Sequence, residues 1–332
     1  MRIEEQEQIR EQLRDVPAGT LALVRHSGVN PGSDALSAPL DVQMTGTGKL
    51  EQYEVFPGIE ASFNTALAES VDMHHTGIAS GLDVFYCRRG RIGWNMRGGI
   101  SVYLGAGDVS IHPSDCCAQS AMLLPLQYAE GISISMDLEL LAKSGDMLFQ
   151  ENGIDFSELE KRYCSGKPVT LAACQTLCGI FEPLYEAAPA RRVPWLRLKV
   201  QELLLFLMDL QGDTPRQMPY GSRQTDLIRE IHQMLTGHLD QRFTIEELSK
   251  KYLINPTTLK ETFKAVYGQP IATYMKGYRM RHAMRLLRET DDSISDIAAA
   301  VGYESQGKFS HMFHSSTGVS PVEYRRQARG NP

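Results

Sequence analysis

The chain has 332 residues, of which 42% are hydrophobic and 22% are charged. This composition excludes a disordered protein, and the length is sufficient for two domains that each bury a core. The charged N-terminus resembles neither a secretory signal nor a transit peptide, and no run of 18 apolar residues occurs. We therefore predict a cytoplasmic protein that has no membrane partner.

The formal net charge of −6 is distributed unevenly along the chain. Residues 222–332 carry 16 Lys and Arg against 12 Asp and Glu, whereas residues 1–221 carry 18 against 28. A mildly basic C-terminal part on an acidic body indicates that only the C-terminal part contacts a polyanion.

Short β-type runs separated by glycine-containing turns occupy the chain from Gly81 to Asp137. These runs are DVFYC, IGWNM, ISVYL, VSIHP and GISISMD. Strands of about five residues predict a small antiparallel barrel or sandwich within residues 1–136. Its interior would form a largely apolar pocket for a small-molecule effector. The candidate polar anchors in that pocket are Tyr86, Arg88, Trp94, Arg97 and Tyr103.

A helical pattern begins near Asp137, and residues 137–211 are predicted to be a helical relay or dimerisation region. The last helix carries an apolar stripe that would either pack against the barrel or form the face of a homodimer. The stripe consists of Leu196, Val200, Leu203, Leu204, Leu207 and Leu210. Cys174 and Cys178 are four residues apart and would share one helical face, where packing is favoured over a redox or metal role.

Residues 212–222 contain two prolines and two glycines and are predicted to be a linker. The following part, residues 223–330, is predicted to be all-helical and to contain two helix-turn-helix units, at about 244–268 and 293–318.

The two units show matching start and stop signals. In the first unit, Thr244 begins a helix as a capping box with Glu247, and Asn255 caps a second helix that ends at Gly268. In the second unit, Ser293 is the cap with Asp296 at the reciprocal position. The second unit turns at Gly302 and stops at Gly318, with Pro321 beyond.

The run IATYMKGYRMRHAMRLLRE joins the two units and shows amphipathic helical spacing. A helix of 19 residues is roughly 28 Å long. Because successive major-groove segments of duplex DNA lie about 34 Å apart, such a linker helix would allow one chain to contact two adjacent segments.

Several motifs of the C-terminal part carry a family resemblance. The stretches RMRHAMRLL and SISDIAAAVGYESQGKFSHMFHSSTGVSPVEYRR resemble the DNA-binding domain of AraC/XylS-type transcriptional regulators. The family signature is matched by Ala298 to Tyr303, by Phe309 and Phe313, and by Gly318 to Arg325. LINPTTLKETFKAVYGQPIATYMKGYRM further resembles the siderophore-sensing, pyochelin-regulator-like subgroup. The resemblance implies double-stranded promoter DNA as a partner and, because family members are mostly activators, contact with RNA polymerase.

The same resemblance implies roles for individual residues of the two units. Eight positions match the groove-facing part of the two reading helices, and they are Thr257, Thr258, Lys260, Glu261, Gln306, Gly307, Lys308 and His311. Four positions match phosphate contacts, and they are Lys250, Lys251, Lys276 and Arg325.

Two departures from the family pattern have structural consequences. The first turn reads Leu253-Ile254 where glycine is frequent, which predicts a turn in right-handed geometry. His311 stands where arginine is frequent, which predicts that the second unit reads its site less tightly.

YCRRGRIGWNMRGGISVYLGAGDVSIHP resembles the small cupin-type barrels that serve as sensors in this family. The overall prediction is therefore an α+β protein with an N-terminal cupin-like β-barrel sensor domain, central helices and the all-α domain of two helix-turn-helix units. Cupin enzymes bind a metal through several histidines and a carboxylate, but His74 and His75 are adjacent and only His112 follows. We predict no cofactor and no enzymatic activity.

The sequence as a whole predicts a ligand-responsive transcriptional regulator, and the family resemblance implies an activator. The subgroup resemblance implies a ferric siderophore as effector, and an aromatic metabolite fits the composition equally well. Two rival hypotheses are a cupin-type metalloenzyme fused to a DNA-binding tail and a ligand-independent DNA-binding protein.

Overall fold

The computed structural model describes residues 3–26, 41–74, 77–117, 121–165, 167–210, 216–217 and 219–329. The chain divides into two compact units, Arg2–Ser222 and Arg223–Pro332. The first unit contains the described strands together with helices, whereas every element that begins after Arg223 is helical. The predicted α+β class is confirmed.

The first unit is rich in short strands, and three of them have the bounds predicted from the sequence, namely those formed by IGWNM, ISVYL and VSIHP. The described strands are β1 (Thr20–His26), β2 (Asp41–Met44), β3 (Thr47–Phe56), β4 (Ile59–Leu67), β5 (Ser70–His74), β6 (Gly81–Gly90), β7 (Ile92–Met96), β8 (Ile100–Leu104), β9 (Val109–Pro113), β10 (Ala121–Leu123), β11 (Ala129–Asp137), β12 (Val169–Leu171), β13 (Arg216–Gln217) and β14 (Tyr220–Gly221).

Of the predicted barrel or sandwich, the described strands form two sheets and no closed cupin-like barrel. One sheet has the order β1-β3-β4-β11-β6-β9-β12-β13 and the other has the order β14-β8-β7-β10-β5-β2. All described pairs are antiparallel except β1 with β3, which is parallel. Within the described residues neither sheet closes on itself, because each order begins and ends on a different strand.

The alternation of side chains along β6 separates two hydrophobic cores. Val84 and Tyr86 belong to a core that also contains the helices of this unit. Phe85 and Cys87, on the opposite face of the strand, pack with Trp94 and other residues of the second sheet. The inter-sheet core therefore lies between the two sheets, and the larger core lies between the first sheet and the helices.

The helices of the first unit begin at side-chain caps or short turns. Asp137, Asp146 and Asp155 each accept a hydrogen bond from a backbone amide in the first turn of the helix that follows. The described helices are α1 (Ile3–Gln12), α2 (Leu138–Ser144), α3 (Met147–Glu151), α4 (Phe156–Tyr163), α5 (Gln175–Glu186) and α6 (Arg192–Asp209).

The predicted apolar stripe lies on and just after α6 and packs against other residues of the same chain. All six leucine and valine residues of the stripe are buried in the larger core. The dimer-face interpretation of this stripe is therefore wrong, because a surface already covered by the sheet and neighbouring helices is not free for a partner.

Two further expectations for this unit need correction. Cys174 does not share a helical face with Cys178, because Cys174 has extended backbone at the N-cap of α5 (φ −143°, ψ 163°). Part of the predicted linker is paired with the sheets: β13 pairs with β12, and β14 pairs with β8.

The second unit consists of helices with buried aliphatic and aromatic side chains, with Phe263 and Phe309 in separate groups of ring contacts. Leu248, Leu259, Phe263, Phe309 and Phe313 are buried there. The described helices are α7 (Ser222–Gly237), α8 (Ile245–Lys251), α9 (Pro256–Tyr267), α10 (Ile271–Glu289), α11 (Ile294–Ala300), α12 (Gln306–Thr317) and α13 (Pro321–Ala328). Helix α10 has the bounds predicted for the linker helix. None of the described helices combines the length and the apolarity that crossing a membrane requires.

Candidate nucleic-acid interface

The first helix-turn-helix unit begins at the predicted capping box. The amide of Glu247 donates to Thr244 Oγ1 at 3.2 Å, and the amide of Thr244 donates to the Glu247 carboxylate at 2.8 Å. These hydrogen bonds hold the pKa of Glu247 below its usual range. Thr244 therefore sets the start of α8 as the sequence predicts.

The turn between α8 and α9 is left-handed, which contradicts the predicted right-handed geometry. Leu253 has φ +51° and is 93% exposed. The amide of Ile254 donates to the carbonyl of Ser249 at 3.1 Å, the hydrogen bond that closes a helix end through a left-handed residue. Leucine is in this conformation because the connection to α9 requires that hydrogen bond, despite the steric cost of a side chain there.

The second helix-turn-helix unit makes the same turn with glycine. Ser293 Oγ accepts from the amide of Asp296 at 3.1 Å, so the predicted cap is present. Gly302 has φ +75°, and the amide of Tyr303 donates to the carbonyl of Ala298 at 2.9 Å. A Cβ on Gly302 would lie 2.3 Å from the carbonyl oxygen of Leu239, so this position needs glycine for space as well as for conformation.

Helix α9 presents most of its predicted groove-facing residues to solvent. Asn255 accepts from the amide of Thr257 at 2.8 Å, and the helix ends at left-handed Gly268. Thr257, Lys260 and Glu261 are exposed, while Thr258 is half-buried beside the inward-facing core residues. The four positions therefore lie on or beside the solvent side of α9.

Helix α12 presents all four of its predicted groove-facing residues. Ser305 caps the helix, and Gln306, Gly307, Lys308 and His311 are exposed. The predicted inward residues Phe309 and Phe313 are buried, whereas Met312 is only half-buried.

The charge of Lys308 is already compensated within the chain. Its Nζ lies 2.6 Å from Glu304 Oε2, one helical turn before it. Lys308 lowers the pKa of Glu304, which keeps that carboxylate charged beside the reading helix. A base or phosphate therefore competes with Glu304 for this lysine.

The four predicted phosphate contacts fall into two groups. Lys250, Lys251 and Lys276 are exposed. Arg325 is half-buried, and its guanidinium donates to the carbonyl of Asp292 at 2.6 Å. Arg325 thus ties α13 to the segment before α11, which is a structural role within the domain.

Lys264 is a further candidate contact that the sequence reasoning missed. It is exposed on α9, four residues after Lys260, so both lysines lie on neighbouring turns of one helix face. The available signal was this spacing within a helix whose buried positions were already assigned. Lys264 therefore extends the basic side of the first reading helix.

The five effector-binding candidates of the first unit are not brought together in one pocket. Tyr86 faces the larger core, where it stacks on Phe181 at 4.6 Å and donates to Glu182 at 2.7 Å. Arg88 lies 3.1 Å from Glu182 and 3.4 Å from Glu130. Burial and the neighbouring Glu182 carboxylate raise the pKa of Tyr86. These two candidates belong to an ion-pair network under α5.

The other three candidates occupy three different places. Trp94 is buried between the sheets, edge-on to Phe85 at 5.0 Å. Tyr103 is buried against Gly93, where an added Cβ would meet its ring at 2.4 Å. Arg97 is exposed and pairs with Asp115 at 2.8 Å. Trp94 is thus the candidate that reaches the inter-sheet core.

The histidines weighed for a metal set are distributed as follows. His75 and the side chain of His74 lie outside the described residues. His112 is buried, with Nδ1 3.0 Å from Ser110 Oγ and Nε2 3.4 Å from Cys117 Sγ.

The second unit is built from two helix-turn-helix units. It is the domain type of the AraC/XylS regulators, as the signature residues predicted, and a family model described as a helix-turn-helix domain matches residues 248–327. The resemblance to this family is confirmed for the second unit.

Comparison with known proteins gives relatives that are similar to part of the chain. The HTH-type transcriptional activator RhaR of Enterobacter sp. (strain 638) is 27% identical over 111 residues, which is 33% of this chain and 39% of that protein. RhaR of Pectobacterium carotovorum subsp. carotovorum (strain PC1) is 30% identical over 134 residues, which is 40% of this chain and 47% of that protein. The chain thus spans less than half the length of these curated relatives.

A solved structure is also similar to part of the chain. The C-terminal domain of AraT, a response regulator from Geobacillus stearothermophilus, is 33% identical, with a TM-score of 0.30. The match covers 32% of this chain and 88% of that domain.

Proposed function

We propose that this chain is a sequence-specific transcriptional regulator whose second unit binds two adjacent major-groove segments of double-stranded DNA. The observation that carries the proposal is the pair of exposed reading helices, α9 and α12, joined by the 19-residue helix α10. A helix of that length spans roughly 28 Å, close to the distance of about 34 Å between successive major-groove segments.

The charge distribution supports the same proposal. The acidic residues that make the chain negative belong mainly to residues 1–221, whereas residues 222–332 have a net positive charge. Exposed Lys250, Lys251 and Lys276 are in this proposal phosphate contacts that hold the protein on the duplex. Glu261 and Gln306 are base contacts, since a carboxylate accepts from cytosine and an amide pairs with adenine.

The first unit is in this proposal a cupin-like sensor of a small molecule. A ferric siderophore and an aromatic metabolite are the effectors that the sequence suggests, and Trp94 in the inter-sheet core suits an aromatic ligand. An effector shifts DNA binding only if it binds one arrangement of the protein better than the other. Titration of each effector class should therefore change both thermal stability and DNA affinity.

Activation and dimerisation complete the proposal. The two RhaR relatives are named as transcriptional activators, which supports activation through contact with RNA polymerase here. A homodimer would need a surface other than the α6 stripe, because that stripe is buried in the chain's own core.

The test of DNA binding is selection of duplexes from a random library by the full-length chain at about 150 mM salt, where nonspecific contacts are screened. The expected product is a site with two sequence blocks about 10 base pairs apart. Insertion of about five base pairs between the blocks turns one of them by half a turn and should abolish tight binding. A single block, or binding that tolerates the insertion, contradicts the two-groove proposal.

Matched variants assign each block to a helix. Glu261→Ala should relax the base preference in one block and Gln306→Ala in the other, by about 1 to 3 kcal/mol each. Lys251→Ala should weaken binding to all sequences alike and reduce the salt dependence by about one counterion. A change of base preference in Lys251→Ala, with none in Glu261→Ala, would show that the helix faces are assigned wrongly.

A further inference from the structure

Three side chains with metal-binding atoms converge at one edge of the inter-sheet core. Asp83 on β6 and His112 on β9 are directly paired across the two strands. Cys117 follows the short 3-10 turn Ser114–Cys116 that comes after β9. The carboxylate oxygen, ring nitrogen and sulfur that these residues offer all lie within 4.8 Å of one another.

The turn that carries Cys117 is held against both sheets. A Cβ on Gly81 would lie 2.6 Å from Ser114 Cβ, so the glycine at the start of β6 allows the turn to approach. On the other side, the amide of Arg97, after β7, donates to the carbonyl of Cys116 at 3.0 Å. Arg97 also pairs with Asp115 through its side chain. The position of Cys117 is therefore determined by several contacts.

The imidazole of His112 is oriented for a ligand on its Nε2 side. Ser110 Oγ, itself fully buried, lies 3.0 Å from Nδ1. A hydrogen bond at one ring nitrogen fixes the orientation of the other, as partners of metal-bound histidines commonly do. Nε2 lies 3.4 Å from Cys117 Sγ. Metal bonds of about 2.1 Å to nitrogen and 2.3 Å to sulfur at a tetrahedral angle place those atoms about 3.6 Å apart.

We propose that Asp83, His112 and Cys117 bind one divalent transition-metal ion of the Zn²⁺ class. The mixed oxygen, nitrogen and sulfur donors suit such an ion better than Mg²⁺ or Ca²⁺, which prefer oxygen alone. On binding, the Cys117 thiol releases its proton to solvent and forms a thiolate–metal bond. The carboxylate and the thiolate together offset both charges of the ion, so the occupied site is neutral.

The proposed ion would join β6, β9 and the turn at one point. Because three atoms of the described residues bind it, one tetrahedral position is left for a further donor. A ligand that binds only the folded state also raises the stability of that state. The first unit is therefore expected to unfold at a higher temperature with Zn²⁺ than with Mg²⁺ at equal concentration.

The direct test is titration of the reduced full-length chain with Co²⁺, whose absorption spectrum reports thiolate ligands. One equivalent should give a thiolate-to-cobalt charge-transfer band together with ligand-field bands of tetrahedral intensity. Cys117→Ser and Asp83→Asn should each weaken Co²⁺ binding at least about tenfold. Cys116→Ser is the matched control, since it removes the adjacent thiol outside the set, and it should bind like the parent chain.

A second readout needs no change to the ligands. The chain has two tryptophans, and the ring of Trp94 lies 6.2 Å from that of His112. In a Trp195→Phe chain, bound Co²⁺ should quench the emission of Trp94 with the same one-to-one stoichiometry. Unchanged Trp94 emission overturns the proposal, as does a thiolate band that survives in Cys117→Ser or binding without any thiolate band.

Discussion

The two helix-turn-helix units use one backbone plan with residues that fit it unequally. Leu253 stands nine residues after its helix cap Thr244, and Gly302 stands nine residues after Ser293. Both have positive φ, and both are followed by an amide that closes the end of the preceding helix. This conformation costs a residue with a Cβ about 1 to 2 kcal/mol of stability, so only the first helix-turn-helix unit is destabilised in this way.

A second pair of equivalent positions shows the same inequality. Ser249 lies five residues after Thr244, as Ala298 lies five residues after Ser293. Ser249 Oγ is buried and has no hydrogen-bond partner among the described residues. Burying an unsatisfied hydroxyl is unfavourable, whereas alanine fills the position without a polar atom. The geometry of the turn is therefore set by the connection between helices, and the residues determine how stable it is.

The charges predict that the first helix-turn-helix unit binds DNA more strongly than the second. Residues 244–268 contain four lysines and three glutamates, whereas residues 293–318 contain one lysine against two acidic residues. Lys260 and Lys264 have no ion pair within the described residues, while Lys308 is paired with Glu304. The helix-turn-helix unit that contains the left-handed leucine is thus also the more basic one.

The largest expected effect on stability is that of Gly302→Ala in the second helix-turn-helix unit. Alanine would combine a left-handed backbone with a Cβ 2.3 Å from the Leu239 carbonyl oxygen. We expect a loss of about 3 kcal/mol or more in the free energy of unfolding, measured by urea denaturation. Gly277→Ala in α10 is the control, because its Cβ meets only the end of the Arg281 side chain at 3.4 Å. A loss no greater than that of the control would contradict this account.

The next effect is a pH dependence of stability that arises where α7 packs on the first helix-turn-helix unit. His232 stacks on Tyr267 at the end of α9, and burial lowers its pKa from 6.5 to about 4. Between these values the unfolded chain takes up a proton that the folded chain does not bind. The free energy of unfolding should therefore fall by about 2 to 3 kcal/mol as pH falls from 6.5 to 4.

The control for this effect is His232→Phe, which keeps an aromatic ring in the stack and removes the titrating group. Its unfolding free energy should lose this part of the pH dependence. An equal pH dependence in His232→Phe would show that another group causes it.

Local signals predicted the second unit well, because caps and stops act within a few residues. Thr244, Asn255 and Gly268 carry the boundaries of α8 and α9 in their own side chains or backbone freedom. The turn at Leu253 was mispredicted because the connection between two helices overrode the preference of leucine. The role of Arg325 was missed because its carbonyl partner, Asp292, lies 33 residues away in sequence.

The first unit was less predictable because its pairing is non-local. The runs IGWNM and ISVYL were visible as strands, but the parallel pairing of β1 with β3 leaves no local pattern. The grouping of Asp83, His112 and Cys117 likewise depends on strand register. The sequence analysis weighed His112 only together with His74 and His75, and it did not predict Asp83 and Cys117 as its neighbours.

A smaller effect tests the unequal fit of the two turns directly. Leu253→Gly removes the left-handed cost, although glycine gives back part of the gain through the entropy of the unfolded chain. We expect a net stabilisation of about 0.5 to 1 kcal/mol, and about 1 kcal/mol from Ser249→Ala. Leu253→Ala is the control, because it shortens the exposed side chain and keeps a Cβ in the turn. Equal stability of the glycine and alanine variants would rule out backbone strain as the difference between the units.

The smallest expected effect concerns the electrostatic difference between the reading helices. Glu304→Gln removes the partner of Lys308 and should raise DNA affinity roughly twofold at most, since exposed ion pairs are weak. Glu246→Gln in the first helix-turn-helix unit is the matched control, because it removes the same charge without breaking an ion pair to a lysine. If both variants gain equally, net charge alone explains the effect. A gain confined to Glu304→Gln shows that the ion pair with Glu304 weakens the contact of Lys308 with DNA. Weaker DNA contact by the second helix-turn-helix unit would then have two causes, this ion pair and His311.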